Sequence, residues 1–145
     1  MLELHDSSLD VSTILDRWYK EEEKSNYGAF IPFVGTIRDE DGIDGLSFDV
    51  YEPILESWFK AWQEKAHKKG AIIKMAHSRG DVMLHESSYI AAVFSPKRRV
   101  ALEFIDEFVE DFKASAPIWK YDLRGSKRIY AQERSTAITG SGLLK

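Results

Sequence analysis

Hydrophobic residues recur with a helical period in three parts of the chain. The longest such pattern covers about 96–115, where apolar side chains repeat every three or four positions and acidic residues fill the other side. A second amphipathic segment begins at Pro53, which suits the first turn of a helix, and stops at Gly70. A shorter one runs from Leu9 to Trp18. The pattern therefore predicts three helices, each with one apolar side for burial.

Between these helices the apolar positions follow the two-residue period of strands. Residues 46–51 alternate strictly between apolar and polar side chains, and 27–38 form an apolar run that contains Pro32. Because proline cannot donate to a neighbouring strand, this second segment is predicted to be an edge strand or to contain a bulge. Further strands are predicted at 71–77, at 87–95 and on both sides of a hairpin turn at 124–127, with a turn and a short strand in 78–86.

This order of elements predicts an α+β fold, with a largely antiparallel sheet and the helices packed on one side of it. The chain has 145 residues, of which 43% are hydrophobic, and it contains no internal repeat or linker. That is enough apolar material for one core, so we expect a single domain over 1–145. The last residues, 135–145, lack periodicity and are predicted to be a mobile tail or to become ordered on a partner.

Composition excludes several classes of protein. Without cysteine, the chain forms neither disulfides nor thiolate metal sites, which fits a reducing cytoplasm. It has no signal-peptide pattern and no apolar run near the roughly 18 residues of a membrane span, so we expect a soluble cytoplasmic protein without membrane contact. A net charge of -4 argues against a general nucleic-acid binder.

The usual motifs of metal and nucleotide sites are missing. The four histidines show no metal-ligand spacing and are expected mostly at the surface or in caps. No glycine-rich phosphate loop or dinucleotide fingerprint is present, and no G-x-S-x-G elbow supports a serine nucleophile. We therefore expect neither a metal nor a bound cofactor.

Positive charge is nevertheless concentrated in two short segments. Residues 97–99 place three cations in the first turn of the longest predicted helix, where they oppose the helix dipole. Between Trp119 and Tyr130, four basic residues face the single acid Asp122. These clusters are consistent with ordinary surface charge or with a site for an anion such as phosphate. The aromatic residues of the second segment also permit stacking on single-stranded RNA, so a non-enzymatic anion- or RNA-binding module is an alternative to an enzyme.

Three segments, in this order and spacing, resemble a known family. They are GAFIPFVGTIRDED from Gly28, LSFDVYEPILE from Leu46, and FSPKRRVALEFIDEFVEDFKASAPIWKYD from Phe94. They are similar to the MoaE family, the large catalytic subunit of molybdopterin synthase, over roughly 27–133. Single segments match weakly, but A-P-I-W-K after an amphipathic helix, together with F-V-G-T-I-R upstream, is specific.

The resemblance implies an enzyme of molybdenum cofactor biosynthesis with an α/β-hammerhead-like fold. Members of the family transfer sulfur to cyclic pyranopterin monophosphate and so form the dithiolene of molybdopterin. The sulfur arrives as a thiocarboxylate on the C-terminal Gly-Gly of a small ubiquitin-like subunit, and two large subunits form a homodimer within a heterotetramer. A chain without cysteine agrees with this scheme, because the partner carries the sulfur. An inactive scaffold member of the same family is the remaining alternative.

The resemblance also carries functional residues over to this chain. Lys120 falls on the catalytic lysine of the family, where it would transfer a proton or stabilise an anion. Lys127 falls on a second functional lysine. The other expected substrate contacts lie at the end of the first long strand, at the start of the last helix and beside Lys127: Thr36, Ile37, Arg38, Lys97, Arg98, Arg128 and Ile129.

The chain departs from the family at several positions. Lys97 stands where the family usually has histidine, which keeps a cation but removes an imidazole. Thr36 replaces a commonly basic residue, and Arg79 lies one position later than the family's arginine. The sequence after Glu133 diverges. The family also implies that a neighbouring subunit can lend basic residues to each pocket.

Overall fold

The computed structural model describes residues 1–131, and the predicted tail at 135–145 lies outside that range. Within the described range, none of the helices is long and apolar enough to cross a membrane. The described residues form seven strands and three helices: β1 (Leu2–Asp6), α1 (Val11–Glu22), β2 (Ala29–Thr36), β3 (Gly45–Val50), α2 (Glu52–Lys68), β4 (Ile72–Met83), β5 (Ser87–Ser95), α3 (Arg98–Ser115), β6 (Ile118–Arg124) and β7 (Lys127–Tyr130).

The strands form one sheet in the order β2-β5-β4-β3-β6-β7, with β1 beside β4. β1 runs parallel to β4, whereas the other neighbouring strands are antiparallel. The prediction of an α+β fold with a largely antiparallel sheet is therefore confirmed. β2 lies at one end of this order and pairs with β5, so Pro32 is in an edge strand, as predicted.

β4 is longer than predicted, because it continues from the expected strand at 71–77 into the segment 78–86 that was expected to hold a turn. It pairs with β5 as far as His77 and with β3 from Gly80 onward. Gly80 has a φ of 78°, a left-handed conformation that glycine adopts without steric cost. The strand can therefore change partners at this point without ending. In the sequence, the same glycine is typical of a turn.

β1 is not predicted from the sequence, because its alternation of apolar and polar side chains covers only five residues. It is held instead by parallel pairing that begins with Leu2 opposite Met75. Glu3 on this strand accepts hydrogen bonds from the Arg17 guanidinium at 2.6 Å and from the Trp18 indole Nε1 at 2.9 Å. These contacts fix α1 to the strand, so β1 depends on partners that are distant in sequence.

The helices cover both faces of the sheet, so the expectation that they all lie on one side is wrong. α2 and α3 pack on one face, in a cluster that includes Met75, Ala91 and Val93. α1 packs on the other face, where its Trp18 joins a cluster with Ile90. Every residue of β5 is buried. Because both of its faces are buried, its sequence lacks the alternation that marks a strand with one solvent-exposed face.

Asp111 of α3 fixes the two helices of the first face to each other. Its Oδ2 accepts hydrogen bonds from the indole Nε1 of Trp58 at 2.8 Å and of Trp62 at 2.7 Å, both on α2. Its Oδ1 accepts one from the Ser115 hydroxyl at 2.8 Å. The last turn of α3 is thereby held in place, and the chain leaves it in an extended conformation at Ala116, with ψ of 139°, to enter β6.

Candidate active site

A two-part cleft lies beside the end of β2, the last turn of α3 and the start of β6. The larger compartment has a volume of about 470 Å³ and the smaller one about 310 Å³. Both are lined by Thr36, Arg38, Lys113 and Lys120. These four residues mark the junction at which the two compartments meet, and three of them are cationic.

The larger compartment has an aromatic wall. Tyr89 of β5 stacks on Phe112 of α3, with ring centroids 4.1 Å apart and ring planes 10° from parallel. Phe33 on the edge strand lies 5.8 Å from Tyr89, and His77 lies 5.5 Å from Phe112, again between ring centroids. A cavity of this size with an aromatic wall is typical of a small-molecule site, and stacked rings suit a flat ligand.

Lys120 reaches the junction from β6, just after the chain has left α3. The residue is half-buried and lies directly opposite Phe48 of β3. Residues opposite each other in a sheet share a face, and Phe48 belongs to the cluster beneath α2 and α3. The strand therefore directs the side chain of Lys120 to the face of the sheet that carries the cleft.

His77 of β4 lines the larger compartment as a neutral imidazole. Its Nδ1 donates a hydrogen bond to the Ser78 carbonyl oxygen at 2.7 Å. Burial lowers the pKa of His77 to about 4; the hydrogen bond to Ser78 opposes this shift, and the charge of Lys120 adds to it. His77 is thus an exception to the expectation that the histidines lie mostly at the surface or in caps.

The Tyr89 hydroxyl is buried and has no hydrogen-bond partner among residues 1–131. Burial raises the pKa of Tyr89 well above its usual value, so the hydroxyl keeps its proton. Most buried hydroxyl groups are paired. An unpaired donor in the wall of a cavity is therefore notable, and together with His77 it makes the aromatic wall partly polar but uncharged.

The end of β2 brings three predicted contact residues to the cleft. The Arg38 side chain is 78% exposed, and its guanidinium donates to the Glu40 carboxylate at 3.0 Å. Thr36 is exposed and lines both compartments, whereas Ile37 is buried and lines the smaller one. A guanidinium with several donors can hold one carboxylate and still bind an anion that enters the cleft.

The hairpin of β6 and β7 divides its predicted site residues between the two faces of the sheet. Lys127 pairs with Arg124 and Ile129 pairs with Asp122, which places both on the face of Lys120. Arg124 lies four positions after Lys120, so Lys127 is about 13 Å from it along the strand direction, at roughly 3.3 Å per residue. The structure thus places Lys127 on the same face as Lys120 but beyond the junction.

Arg128 lies on the opposite face, where it is engaged within the fold. Its guanidinium carbon is 3.7 Å from the centroid of the Tyr121 ring, and its Nη2 donates to the Asp49 carboxylate at 2.7 Å. Its Nε donates to the Ser47 hydroxyl at 3.0 Å. These contacts join β7 to β3 across β6, away from the cleft.

The cations at the start of α3 lie far from the junction within one copy of the chain. Lys97, Arg98 and Arg99 line a separate surface depression of about 420 Å³. From Arg98 to Lys113 the helix rises by about 22 Å, at 1.5 Å per residue. A single copy therefore does not bring Lys97 and Arg98 together with Lys120.

Lys113, His77 and Tyr89 line the cleft but are not identified from the sequence. Lys113 resembles any lysine in the last turn of a helix, where it complements the helix dipole. His77 and Tyr89 lie in strands whose apolar character predicts only burial. A polar ring inside an apolar strand is the one signal that the sequence offers. Within residues 1–131, no group of three or more histidine, aspartate or glutamate side chains is placed to hold a metal ion.

The sequence matches one family model and several curated proteins. Residues 4–115 match the model described as MoaE protein. A protein from Helicobacter pylori (strain ATCC 700392 / 26695), named molybdopterin synthase catalytic subunit, is 49% identical over 144 residues, which cover 99% of each chain. A protein of the same name from Helicobacter pylori strain J99 is 40% identical over 144 residues, with the same coverage of 99%.

Solved structures share the fold. A complex of subunits 1 and 2 of molybdopterin-converting factor from Helicobacter pylori 26695 contains a chain with a TM-score of 0.91 and 49% identity, and 99% of each chain is covered. The structure of molybdopterin synthase from Staphylococcus aureus has a TM-score of 0.75 at 21% identity, covering 88% of this chain and 94% of the other. The second likeness concerns the fold alone.

Proposed function

The chain belongs to the MoaE family, and from that premise we propose that it works as the catalytic subunit of a molybdopterin synthase. In this proposal the substrate is cyclic pyranopterin monophosphate and the product is the dithiolene of molybdopterin. The sulfur comes from a thiocarboxylate at the C-terminus of a small ubiquitin-like subunit. The observation that carries the proposal is the position of Lys120, which lies in the A-P-I-W-K motif and at the junction of the two compartments.

The two parts of the cleft offer different chemistry. The wall formed by Phe33, Tyr89 and Phe112 suits the flat pterin, whose ring can stack on it. Arg38 and Lys120 at the junction supply positive charge for the cyclic phosphate and for the anionic thiocarboxylate. In each transfer the thiocarboxylate sulfur replaces an oxygen on a precursor carbon, and the acyl carbon of the small subunit takes up an oxygen from water as its C–S bond breaks, which leaves a carboxylate. Both reactants must therefore meet at one place, which in this proposal is beside Lys120.

The surroundings of Lys120 suit a residue that stabilises anions and transfers protons. Its neighbour His77 is neutral, so no imidazolium competes with the lysine for an anion at the junction. As an ammonium, Lys120 stabilises the negative charge that develops during sulfur transfer, and as an amine it accepts a proton. Both roles need the amino group at the junction. Lys127, on the same face, remains a predicted second catalytic lysine, with Ile129 beside it as a predicted contact.

The proposal includes a small-subunit partner and a homodimer within a heterotetramer. The Helicobacter pylori structure at 49% identity is a complex of two subunits, which supports a small-subunit partner. Lys97 and Arg98 are about 22 Å along α3 from the junction, so they can bind substrate as predicted only in the cleft of a second copy. This separation supports a dimer in which each copy lends these cations to its neighbour. The proposed location is the cytoplasm.

Reconstitution tests the role of Lys120. The full chain is combined with thiocarboxylated small subunit and cyclic pyranopterin monophosphate, and the product is measured by mass. We expect Lys120→Ala to slow dithiolene formation by about 100-fold or more, since general acid–base groups contribute on that scale. Circular dichroism and binding of the small subunit should be as in the wild type.

A matched control for this experiment is Lys60→Ala, which removes an exposed lysine of α2 outside the cleft. This variant should turn over at the wild-type rate. If Lys120→Ala were also to turn over at that rate, the role of Lys120 would be overturned. Failure of the wild type itself to form product from its own partner would favour the inactive-scaffold alternative.

The RNA-binding alternative has no support in the comparisons. It needs the cations and rings of the hairpin, but Arg128 and Tyr121 are stacked on each other and Arg128 is paired with Asp49. A titration with single-stranded RNA at several salt concentrations separates the two functions. Tight binding that weakens steeply with salt is expected of an RNA-binding module and not of the enzyme.

A further inference from the structure

Lys113 is the third cation of the junction, beside Arg38 and Lys120, and the family motifs assign it no role. We propose that Lys113 is a further substrate-binding residue, whose ammonium group pairs with the phosphate of the bound precursor. The inference rests on the proposed function, because it takes cyclic pyranopterin monophosphate as the ligand.

The last turns of α3 place Lys113 at the edge of the aromatic wall. Val109, Phe112, Lys113 and Ala116 all line the larger compartment, and their spacing of three and four positions puts them on one side of the helix. Of these four, Lys113 also lines the smaller compartment. The turn is fixed by Asp111, which accepts a hydrogen bond from the Ser115 hydroxyl at 2.8 Å. The backbone of Lys113 is therefore held at the point where the two compartments meet.

The cleft carries a positive charge that an anion would balance. Its lining includes three cations, Arg38, Lys113 and Lys120, and two acids, Glu40 and Glu110, which gives a net charge of 3 − 2 = +1. The Glu40 carboxylate lies 3.0 Å from the Arg38 guanidinium and so offsets part of that charge. The two lysines approach the junction from different walls, one from α3 and one from β6. Such an arrangement can enclose a phosphate from both sides.

The shape of the cleft sets the orientation in which the ligand binds. The pterin fits the aromatic wall, whose polar groups, His77 and Tyr89, are uncharged. When the ring lies there, the phosphate points to the junction. Lys113 is exposed, and its long flexible side chain can follow the phosphate, whereas Lys120 is half-buried and held by the strand.

A purely structural role would also place a lysine in the last turn of a helix, because the positive charge complements the helix dipole. Lys68 also lies in the last turn of its helix, α2, and it is exposed and outside both compartments. Lys68→Ala is therefore a matched control, since it removes the same helix-end interaction without changing the cleft.

The test is a calorimetric titration of cyclic pyranopterin monophosphate into the full chain bound to unthiolated small subunit, so that no turnover occurs. At low salt we expect Lys113→Ala to weaken binding about fivefold, as for a partly exposed ion pair. Lys113→Arg should stay within about twofold of the wild type, because it keeps the charge. Lys68→Ala should bind as the wild type does. A reduced pterin without phosphate should bind Lys113→Ala and the wild type equally.

Three results would overturn the inference while the wild type still binds the precursor. These are unchanged affinity of Lys113→Ala, an equal loss in Lys68→Ala, and an equal loss of affinity for the phosphate-free pterin. If the wild type itself failed to bind the precursor, the proposed function would fail and the inference with it. The wild-type titration therefore distinguishes the two failures.

Discussion

Replacement of Asp111 tests how strongly the contact between α2 and α3 stabilises the fold beside the cleft. Asp111→Ala leaves the indole Nε1 groups of Trp58 and Trp62 without their acceptor, and Trp62 is only 7% exposed. A hydrogen bond to a charged acceptor contributes about 1.5–3 kcal/mol. Because the two indoles share one oxygen of a half-buried carboxylate, we take the lower value for each. Asp111→Ala should therefore lower the free energy of unfolding by about 3 kcal/mol.

Asp111→Asn separates the charge from the geometry. The amide oxygen can take the place of Oδ2 and accept from both indoles, while the amide nitrogen donates to the Ser115 hydroxyl, which can accept as well as donate. Only the charge assistance is lost, so we expect a decrease of about 1 kcal/mol. Urea denaturation followed by circular dichroism measures both values. Equal losses in the two variants, or a loss under about 1 kcal/mol in Asp111→Ala, would refute the reasoning.

The difference in unfolding free energy between the wild type and Asp111→Asn should also depend on pH. Partial burial opposes the shift, but hydrogen bonds from Trp62, Ser115 and Trp58 lower the pKa of Asp111 below its usual value of 3.8. A carboxyl group with a lowered pKa stabilises the fold fully above its unfolded pKa, and this contribution is lost as the pH falls through the folded pKa. The advantage of the wild type over Asp111→Asn should therefore be constant near neutrality and shrink below about pH 4.

Three further variants test the strand that carries His77 and Gly80. Between pH 6.5 and 5 the unfolded wild-type chain takes up a proton at His77 that the folded chain, in which the pKa of His77 is about 4, does not take up. The free energy of unfolding should therefore fall over this pH range by about 2 kcal/mol less in His77→Phe than in the wild type. Urea titrations at both pH values measure this difference, and equal falls in the two proteins would contradict it. Gly80→Ala should lower the free energy of unfolding by about 1 kcal/mol, because φ is 78° although an added Cβ meets nothing within 4 Å. In the same urea titrations Gly80→Asn should cost less, and a larger cost for asparagine would count against a conformational origin.

The sequence predicts those helices and strands that expose one face to solvent and bury the other. α3 was predicted at about 96–115 and extends from Arg98 to Ser115, because its apolar stripe and its acidic side are distinct. The prediction failed where burial depends on remote partners. β1 is held by β4, and α1 covers the second face of β5, which is buried along its whole length.

The candidate site was predictable only where a motif carries it. Arg38 and Lys120 were assigned through the resemblance, and both line the junction. Lys113 and Tyr89 could not be assigned, because their place in the cleft results from packing between α3 and the sheet rather than from local sequence. The separation of Arg98 from Lys120 was also hidden, since neither spacing nor charge shows at which end of α3 the cleft lies.

The change of partners along β4 divides the walls of the cleft between two groups of strands. Thr36 ends β2 and Arg38 follows it, and α3 with Lys113 packs against β2 and β5, whereas Lys120 belongs to the β3-β6-β7 side. Between the strands of the two sides, the ladder of β3 and β4 contributes four residue pairs, beginning with Phe48 opposite Gly80. The backbone pairing that sets the distance between Lys120 and the other two cations therefore passes through this short ladder, and the packing of Phe48 in the cluster beneath α2 and α3 supports it.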